Sequence, residues 1–320
     1  MTAKTKREEA ALRVVERYRR RVDYLEDFTA RTLAASWASL ERNIRRDLKS
    51  LKYTDTRNLP QTIRYQMDIE PVIRLRAENY AREAERVMLS LAEVTADLGA
   101  ETADKSARRI TGKRDKWERV KTSGLLTGPL LSASKEAIKR IPGTITQKIS
   151  ELVSQAAGMA EQGLNWVLSQ LGDVMGNLWS GIQRTVRTLA EQMFRRAQQE
   201  QAKKTPVRKW RRIANHETAC LACLMLEGTI YDKEEDFADH PNGRCTIVPV
   251  EDPNAESTHP GRDWFLEQDE ETQRKIMGKG RWEAWQNGDI SLDEMVDVVN
   301  DPIYGPLPHI KPLKAFGLTP

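Results

Sequence analysis

All three cysteines of the 320-residue chain lie between Cys220 and Cys245, in the run CLACLMLEGTIYDKEEDFADHPNGRC. Two residues separate Cys220 from Cys223, sixteen follow, and then His240 and Cys245 stand four residues apart. Two thiolates at CxxC spacing can share one ion, and an imidazole with a third thiolate completes a tetrahedral shell. Cys220, Cys223, His240 and Cys245 are therefore the expected ligands of Zn2+. A Cys3His set leaves no open position, so the metal is expected to be structural. Its binding would stabilise a small β unit with little core of its own. The competing reading treats the cysteines as small buried hydrophobes. His216 is an alternative fourth ligand to His240.

Catalytic patterns fit this window less well. A zinc deaminase needs a His-x-Glu ahead of its CxxC, and none precedes this one. A zincin needs HExxH, but the His216-Glu217 pair meets Cys220 where the second histidine belongs. A redox CxxC is expected beside a βαβ pattern, which is missing. The run DHPNGRC sets an acid, a histidine and an asparagine beside a possible zinc knuckle, so a His-Asn-His-like nuclease is a rival; His259 is poorly placed as its second histidine. No phosphate-cradling glycine loop or nucleophile elbow is found. The chain is expected not to be an enzyme.

The elements that would carry the window are mostly helical. Val15, Tyr18, Val22 and Leu25, then Leu33, Trp37, Leu40, Ile44, Leu48 and Leu51, recur at steps of three and four, predicting one helix over 8–52. YTDTRNLP (53–60) is a break. Ile73, Ala77, Tyr80, Ala84, Val87, Leu91, Val94 and Leu98 then form a heptad-like seam, with Gly99 as its stop. Antiparallel pairing of these two helices is one reading of the seam, and an intermolecular seam is the other. A charged helix is expected over 101–121, a loop over 122–134, a break at IPG (141–143) and a long helix over 144–203. That last helix contains Gly158, Gly163, Gly172, Gly176 and Gly181, each costing about 1 kcal/mol relative to Ala. Close packing at the Gly172/Gly176 small-xxx-small spacing would offset the cost. Only Asp173 is charged in 162–183, so a membrane-active role for 144–203 is a further alternative.

Past Pro206 the pattern changes. VRKWRRI, GTIY and CTIVPV read as short strands, with a hairpin carrying Gly228 and the acidic turn DKEEDFAD between the two ligand pairs. Ser291 and Glu294 form a capping box for a helix over about 292–299. Five prolines after residue 300 predict an extended tail. The expected fold class is mainly α. An elongated body of long amphipathic helices covers 1–205, a small zinc-clipped β module 206–255, a short helical region 256–300 and a Pro-rich tail 301–320.

Charge divides along the same line. Residues 1–212 carry 42 basic and 26 acidic side chains, a net of +16, while 213–320 carry 9 and 21, a net of −12. The basic part could meet nucleic acid, or its charges could simply solvate long helices. Three cysteines are an odd number, which argues against a disulfide framework and fits a reducing compartment. The charged N-terminus does not read as a signal peptide, and no uncharged run is long enough for a stable transmembrane span.

The run VRKWRRIANHETACLACLMLEGTIY…DHPNGRCTIVPV resembles the head-morphogenesis family of tailed phages, the minor head proteins that include the Mu F-like proteins. The pattern is a Trp-bearing strand, a CxxC, a Gly-containing hairpin, a His-Pro and an Arg-Cys ahead of an apolar strand ending in Pro. Trp210, Cys220, Cys223, Gly228, His240, Pro241, Arg244, Cys245 and Pro249 occupy it. IQRTVRTLAEQMFRRAQ and GKGRWEAWQNGDISLDEM resemble family members too, so the likeness covers roughly residues 180–300. Many members carry another cysteine two positions before the last, where this chain has Gly243. The resemblance implies a structural minor capsid protein, made in the host cytoplasm and resident in the virion near the portal vertex. Its implied partners are portal protein, major capsid or scaffold proteins and, in some cases, packaged double-stranded DNA, with few copies per virion, and some family members are ejected with the DNA. A zinc-containing DNA-binding or nuclease module is the alternative function.

Overall fold

The computed structural model describes residues 5–52, 60–112, 117–157, 159, 162–237 and 239–318. It is mainly helical with two small sheets. Helices α1 (Lys6–Lys49), α2 (Gln61–Arg64), α3 (Glu70–Thr111), α4 (Pro129–Lys139), α5 (Ile141–Ala156) and α6 (Gly163–Lys204) come first. Then follow β1 (Lys209–Ile213), α7 (Leu221–Met225), β2 (Ile230–Asp232) and β3 (Thr246–Pro249). The chain ends with α8 (Pro260–Leu266), α9 (Glu270–Met277), α10 (Lys279–Gln286), α11 (Leu292–Met295), β4 (Val296–Asp301) and β5 (Gly305–Ile310). No helix among the described residues is long and apolar enough to cross a membrane.

Two compact units result, one from Met1–Asp23, Glu93–Thr127 and Ala190–Pro320, the other from Tyr24–Ala92 and Gly128–Leu189. Helices α1, α3 and α6 contribute residues to both.

In the second unit the expected α1 stripe is buried, from Leu33 through Trp37, Leu40, Ile44 and Leu48. Trp37 meets the Tyr80 ring edge-on at 5.1 Å, and Asp47 binds Arg76 at 2.7 Å. Rising residue numbers on one helix face falling numbers on the other, so α1 and α3 pair antiparallel within the chain. The seam does not stay heptad-like. Val94 is exposed, and burial passes to Met88, Leu91 and Thr95. A straight helix turns every 3.6 residues and drifts off a strict 3.5-residue repeat. Tyr65 donates to the Thr146 carbonyl at 3.3 Å and ties α5 to the residues between α2 and α3.

In the first unit Gly99 does not stop a helix. α3 runs through it to Thr111, and a Cβ at Gly99 would lie 1.9 Å from the Phe194 carbonyl oxygen. The glycine lets two backbones touch. Within the chain the close packing at Gly172 and Gly176 is not found: a Cβ at Gly172 would meet only the Arg45 guanidinium, at 3.4 Å, and one at Gly176 would meet open space. The long helix expected over 144–203 is divided into α5 and α6, and Gly158 in the gap lies outside the described residues. The helix expected over 101–121 ends at Thr111; within its remainder, 117–120 is not helical and 113–116 lies outside the described residues. The expected loop over 122–134 contains a 3-10 turn and the start of α4, with Pro129 at its first turn. Of the break at 53–60, only Pro60 is described.

The three expected strands form one antiparallel sheet in the order β2-β1-β3. β1 is central, and its alternation buries Trp210 and Arg212 on one face. β2 pairs with β1 rather than folding back on β3, so no single hairpin joins the ligand pairs. Ser291 and Glu294 do make the capping box, but the helix ends at Met295. Val296, Val298 and Val299 favour a strand instead, and β4 pairs antiparallel with β5. Pro306 and Pro308 lie in β5, where a two-stranded sheet tolerates a missing donor. The predicted extended tail is therefore a strand followed by a 3-10 turn, with Leu313, Phe316 and Leu318 packed against the core around Phe265 and Met295.

Candidate metal centre

The four predicted residues gather around the Cys223 sulfur, in two groups that share it. Cys220 stands at the start of α7 and Cys223 one turn inside it. This short helix faces two ways. Cys223 joins the core containing Trp210, Phe237, Cys245 and Ile247, whereas Leu221, Leu224 and Met225 join the core of the C-terminal helices. Cys245 immediately precedes β3, and His240 arrives on the loop between β2 and β3.

His240 Nε2 lies 3.2 Å from both the Cys220 and the Cys223 sulfur. Its Nδ1–H donates to the Pro241 carbonyl oxygen at 2.9 Å, which fixes the hydrogen on Nδ1. Nε2 then faces the sulfurs, the arrangement in which a metal-ligating histidine is held from behind by a carbonyl. Cys220, Cys223 and His240 place their ligand atoms within 4.8 Å of one another. Cys223, Asp239 and Cys245 form a second trio at that spacing, sharing the Cys223 sulfur. The four predicted residues thus make one patch centred on Cys223 that could hold a metal ion. His216 is elsewhere: its Nε2 is 2.5 Å from the Glu227 carboxylate and its ring is 4.6 Å from that of Trp264.

A buried cation completes the patch. Arg212 is fully buried on β1, and its Nη2 donates to both the Cys223 and Cys245 sulfurs at 3.3 Å. Its guanidinium lies 4.8 Å from the Phe237 ring centre and 3.9 Å from the Asp239 carboxylate. Asp239 is also buried. It accepts from the His240 backbone N–H at 2.8 Å and is paired with Arg195 of α6. Arg195 donates in addition to the Gly243 carbonyl at 3.1 Å. A side chain at Gly243 is excluded, since its Cβ would stand 2.2 Å from an Asp239 carboxylate oxygen.

These neighbours favour thiolate over thiol at two of the three sulfurs. Hydrogen bonding from Cys223 pushes Cys220 down to about 4, against burial and with help from His240. The same donor, with Arg212 and Arg195, brings Cys245 down to about 6 despite burial. Cys223 is pushed up because it carries the proton shared with Cys220 and Cys245. The Cys220 sulfur raises His240 above its ordinary value, opposed by burial. Burial works against the Arg212 charge, but Cys245 and Cys223 more than offset it and hold its pKa above the ordinary value. Thiolate is the form a metal needs.

Comparisons with protein-family models, with curated proteins and with solved structures found no match to this chain.

Sequence reasoning brought Cys220, Cys223, His240 and Cys245 together but missed Arg195, Arg212 and Asp239. Asp239 had a local signal, its place beside His240. Arg212 had a weaker one, its place two residues after Trp210 on an alternating strand. Nothing in the sequence near Arg195 points to the patch.

Proposed function

We propose that this chain is a structural minor head protein of a tailed phage, acting in head assembly near the portal vertex. In this reading a zinc ion on Cys220, Cys223, His240 and Cys245 pins the 206–255 segment. The observation that carries the structural role is the locked imidazole of His240. Its Nδ1 is taken by Pro241 and its Nε2 faces two sulfurs, so neither nitrogen is presented to a substrate. Three thiolates and one imidazole are a donor set suited to zinc. Ligation by all four would draw the Cys245 sulfur toward Cys220 and His240, since the four do not form one group at the 4.8 Å spacing. The assembly role, with portal and capsid or scaffold proteins as partners and the virion as location, rests on the resemblance in residues 180–300.

Elemental mass spectrometry of the purified, tag-free protein tests the clip. About one zinc per chain is expected, lost in Cys245→Ser together with protease resistance of 206–255 while helical circular dichroism persists. Metal-free protein prepared without chelator would overturn it. Quantitative mass spectrometry of purified particles from the encoding phage tests the assembly role, with a few copies per particle expected.

A second reading, DNA contact, is favoured by the exposed Arg13, Arg17, Arg20 and Arg21 on α1. Duplex binding that weakens steeply with salt would support it, and metal-dependent cleavage would point to the nuclease form.

A further inference from the structure

The three cysteines of the patch differ in what can reach them. Cys220 is half-buried at the start of α7, while Cys223 and Cys245 are each 1% exposed. The Cys220 carbonyl accepts from the Leu224 N–H at 3.1 Å, so both cysteines of the CxxC lie on one helical turn. Residues three apart on such a turn share a face, with Cα atoms about 5 Å apart, inside the roughly 4.4–6.8 Å that a disulfide spans. Here the sulfurs of Cys220 and Cys223 and the His240 Nε2 lie within 4.8 Å of one another.

Cys245 lies within the same distance of Cys223 but in a different setting. Its sulfur faces the buried Arg212, whose Nη2 donates to the sulfurs of Cys223 and Cys245 alike, at 3.3 Å. A Cys223–Cys245 disulfide would neutralise both sulfurs at a depth where a guanidinium needs a counter-charge. A Cys220–Cys223 disulfide leaves the Cys245 sulfur in place beside Arg212.

We infer that Cys220 and Cys223 form a reversible disulfide under peroxide, with Cys220 attacked first. Hydrogen peroxide meets the half-buried sulfur and converts the Cys220 thiol to a sulfenic acid, releasing one water. The Cys223 sulfur then attacks the sulfenic sulfur. The S–S bond forms, the S–O bond breaks, and the hydroxyl leaves as a second water with the Cys223 proton. Two electrons pass from the two thiols to the peroxide. A dithiol reductant reverses the step by exchange. Neither sulfur of a disulfide is the thiolate a metal needs, so this disulfide and a zinc ion on the same residues exclude one another. That exclusion rests on the zinc reading of the patch; the disulfide itself does not.

The test uses the full-length protein, stripped of metal by chelator under reducing conditions and then exposed to hydrogen peroxide. Free thiols are blocked with N-ethylmaleimide in denaturant, and peptides are mapped without reduction. A Cys220–Cys223 disulfide with maleimide on Cys245 is expected, and dithiothreitol should remove it. A Cys223–Cys245 disulfide, a disulfide between chains, sulfinic or sulfonic acid at Cys220 in place of a disulfide, or three unreacted thiols would overturn the inference. Cys220→Ser should leave Cys223 and Cys245 reduced at the same dose. Cys223→Ser should leave a sulfenic acid on Cys220 that dimedone labels. Oxidation of Cys223 in a folded Cys220→Ser protein, as fast as in the unaltered chain, would overturn the order of attack. If either variant fails to fold by circular dichroism, the map of the unaltered protein still decides. Zinc held at more than about ten times its Kd leaves fewer than about a tenth of the chains open, so disulfide formation should slow about tenfold or more. An unchanged rate in a chain that holds zinc would overturn the exclusion. A chain that takes up no zinc yet forms the disulfide would remove the zinc clip and leave the disulfide standing.

Discussion

Arg212 Nη2 donates to the Cys245 sulfur at 3.3 Å, at a depth where the arginine has no exposed surface. A guanidinium is costly to bury without a counter-charge. The thiolate character of Cys245 is therefore part of what holds β1 in place, and Arg212 is part of what keeps that sulfur ionised. Replacing Arg212 by Met should destabilise the first unit by about 3–5 kcal/mol, because the sulfurs and Asp239 lose their buried cation. Arg212→Lys should recover only part, since an ammonium lacks the guanidinium plane that lies against the Phe237 ring. Urea unfolding followed by tryptophan fluorescence and circular dichroism measures the difference.

The Arg195–Asp239 pair makes a parallel prediction. Asp239→Asn leaves Arg195 buried without its partner, and the loss should be about 3–5 kcal/mol. The double variant Asp239→Asn with Arg195→Met should be less destabilised than the sum of the two single variants, because the uncompensated charge is gone. A double-mutant cycle in urea checks this, and simple additivity would count against a coupled pair.

Two glycines in long helices should respond in opposite directions. Gly99→Ala forces a methyl into the Phe194 carbonyl and should cost about 1–3 kcal/mol or more through overpacking. Gly176→Ala meets open space and should gain about 0.5–1 kcal/mol by lowering the entropy of the unfolded helix. Thermal melting of both proteins separates the two cases.

The second unit should weaken in alkali through two buried tyrosines. Burial, with nearby Glu70 and Glu83 respectively, raises Tyr65 and Tyr80 above the ordinary value of 10.0. A phenol raised in the folded state contributes stability that is full below pH 10 and is lost as pH climbs toward its folded value. Each should take away about 1.4 kcal/mol per pH unit between pH 10 and its folded value. Tyr80 has a buried hydroxyl with no hydrogen-bond partner among the described residues, so Tyr80→Phe should leave stability at pH 7 unchanged or slightly higher and should flatten the alkaline limb. The edge-on contact with Trp37 survives that change. Chemical denaturation at pH 7 and pH 11 measures both effects.

Local pattern was enough for the first helix, the three strands and the grouping of the four patch residues. The three-and-four spacing from Val15 to Leu48 is a property of one helix, and the structure buries those positions apart from Leu25, which is half-buried. The apolar runs around Trp210, Ile230 and Ile247 announced strands, and Ser291 with Glu294 announced a helix start. CxxC and HxxxxC named the four patch residues because ligand spacing is itself local.

What only tertiary structure decided was where charge could be buried and where backbones could touch. Arg195, Arg212 and Asp239 look like ordinary charged residues along the chain, and their burial depends on partners 44 and 33 positions away: Asp239 for Arg195, Cys245 for Arg212. Gly99 looked like a helix stop because a missing side chain is equally suited to a terminus and to close approach, and only Phe194 settles which. The C-terminal prolines suggested an extended tail for the same reason. Without N–H groups they cannot announce a sheet, yet β4 supplies the partner strand that turns them into one.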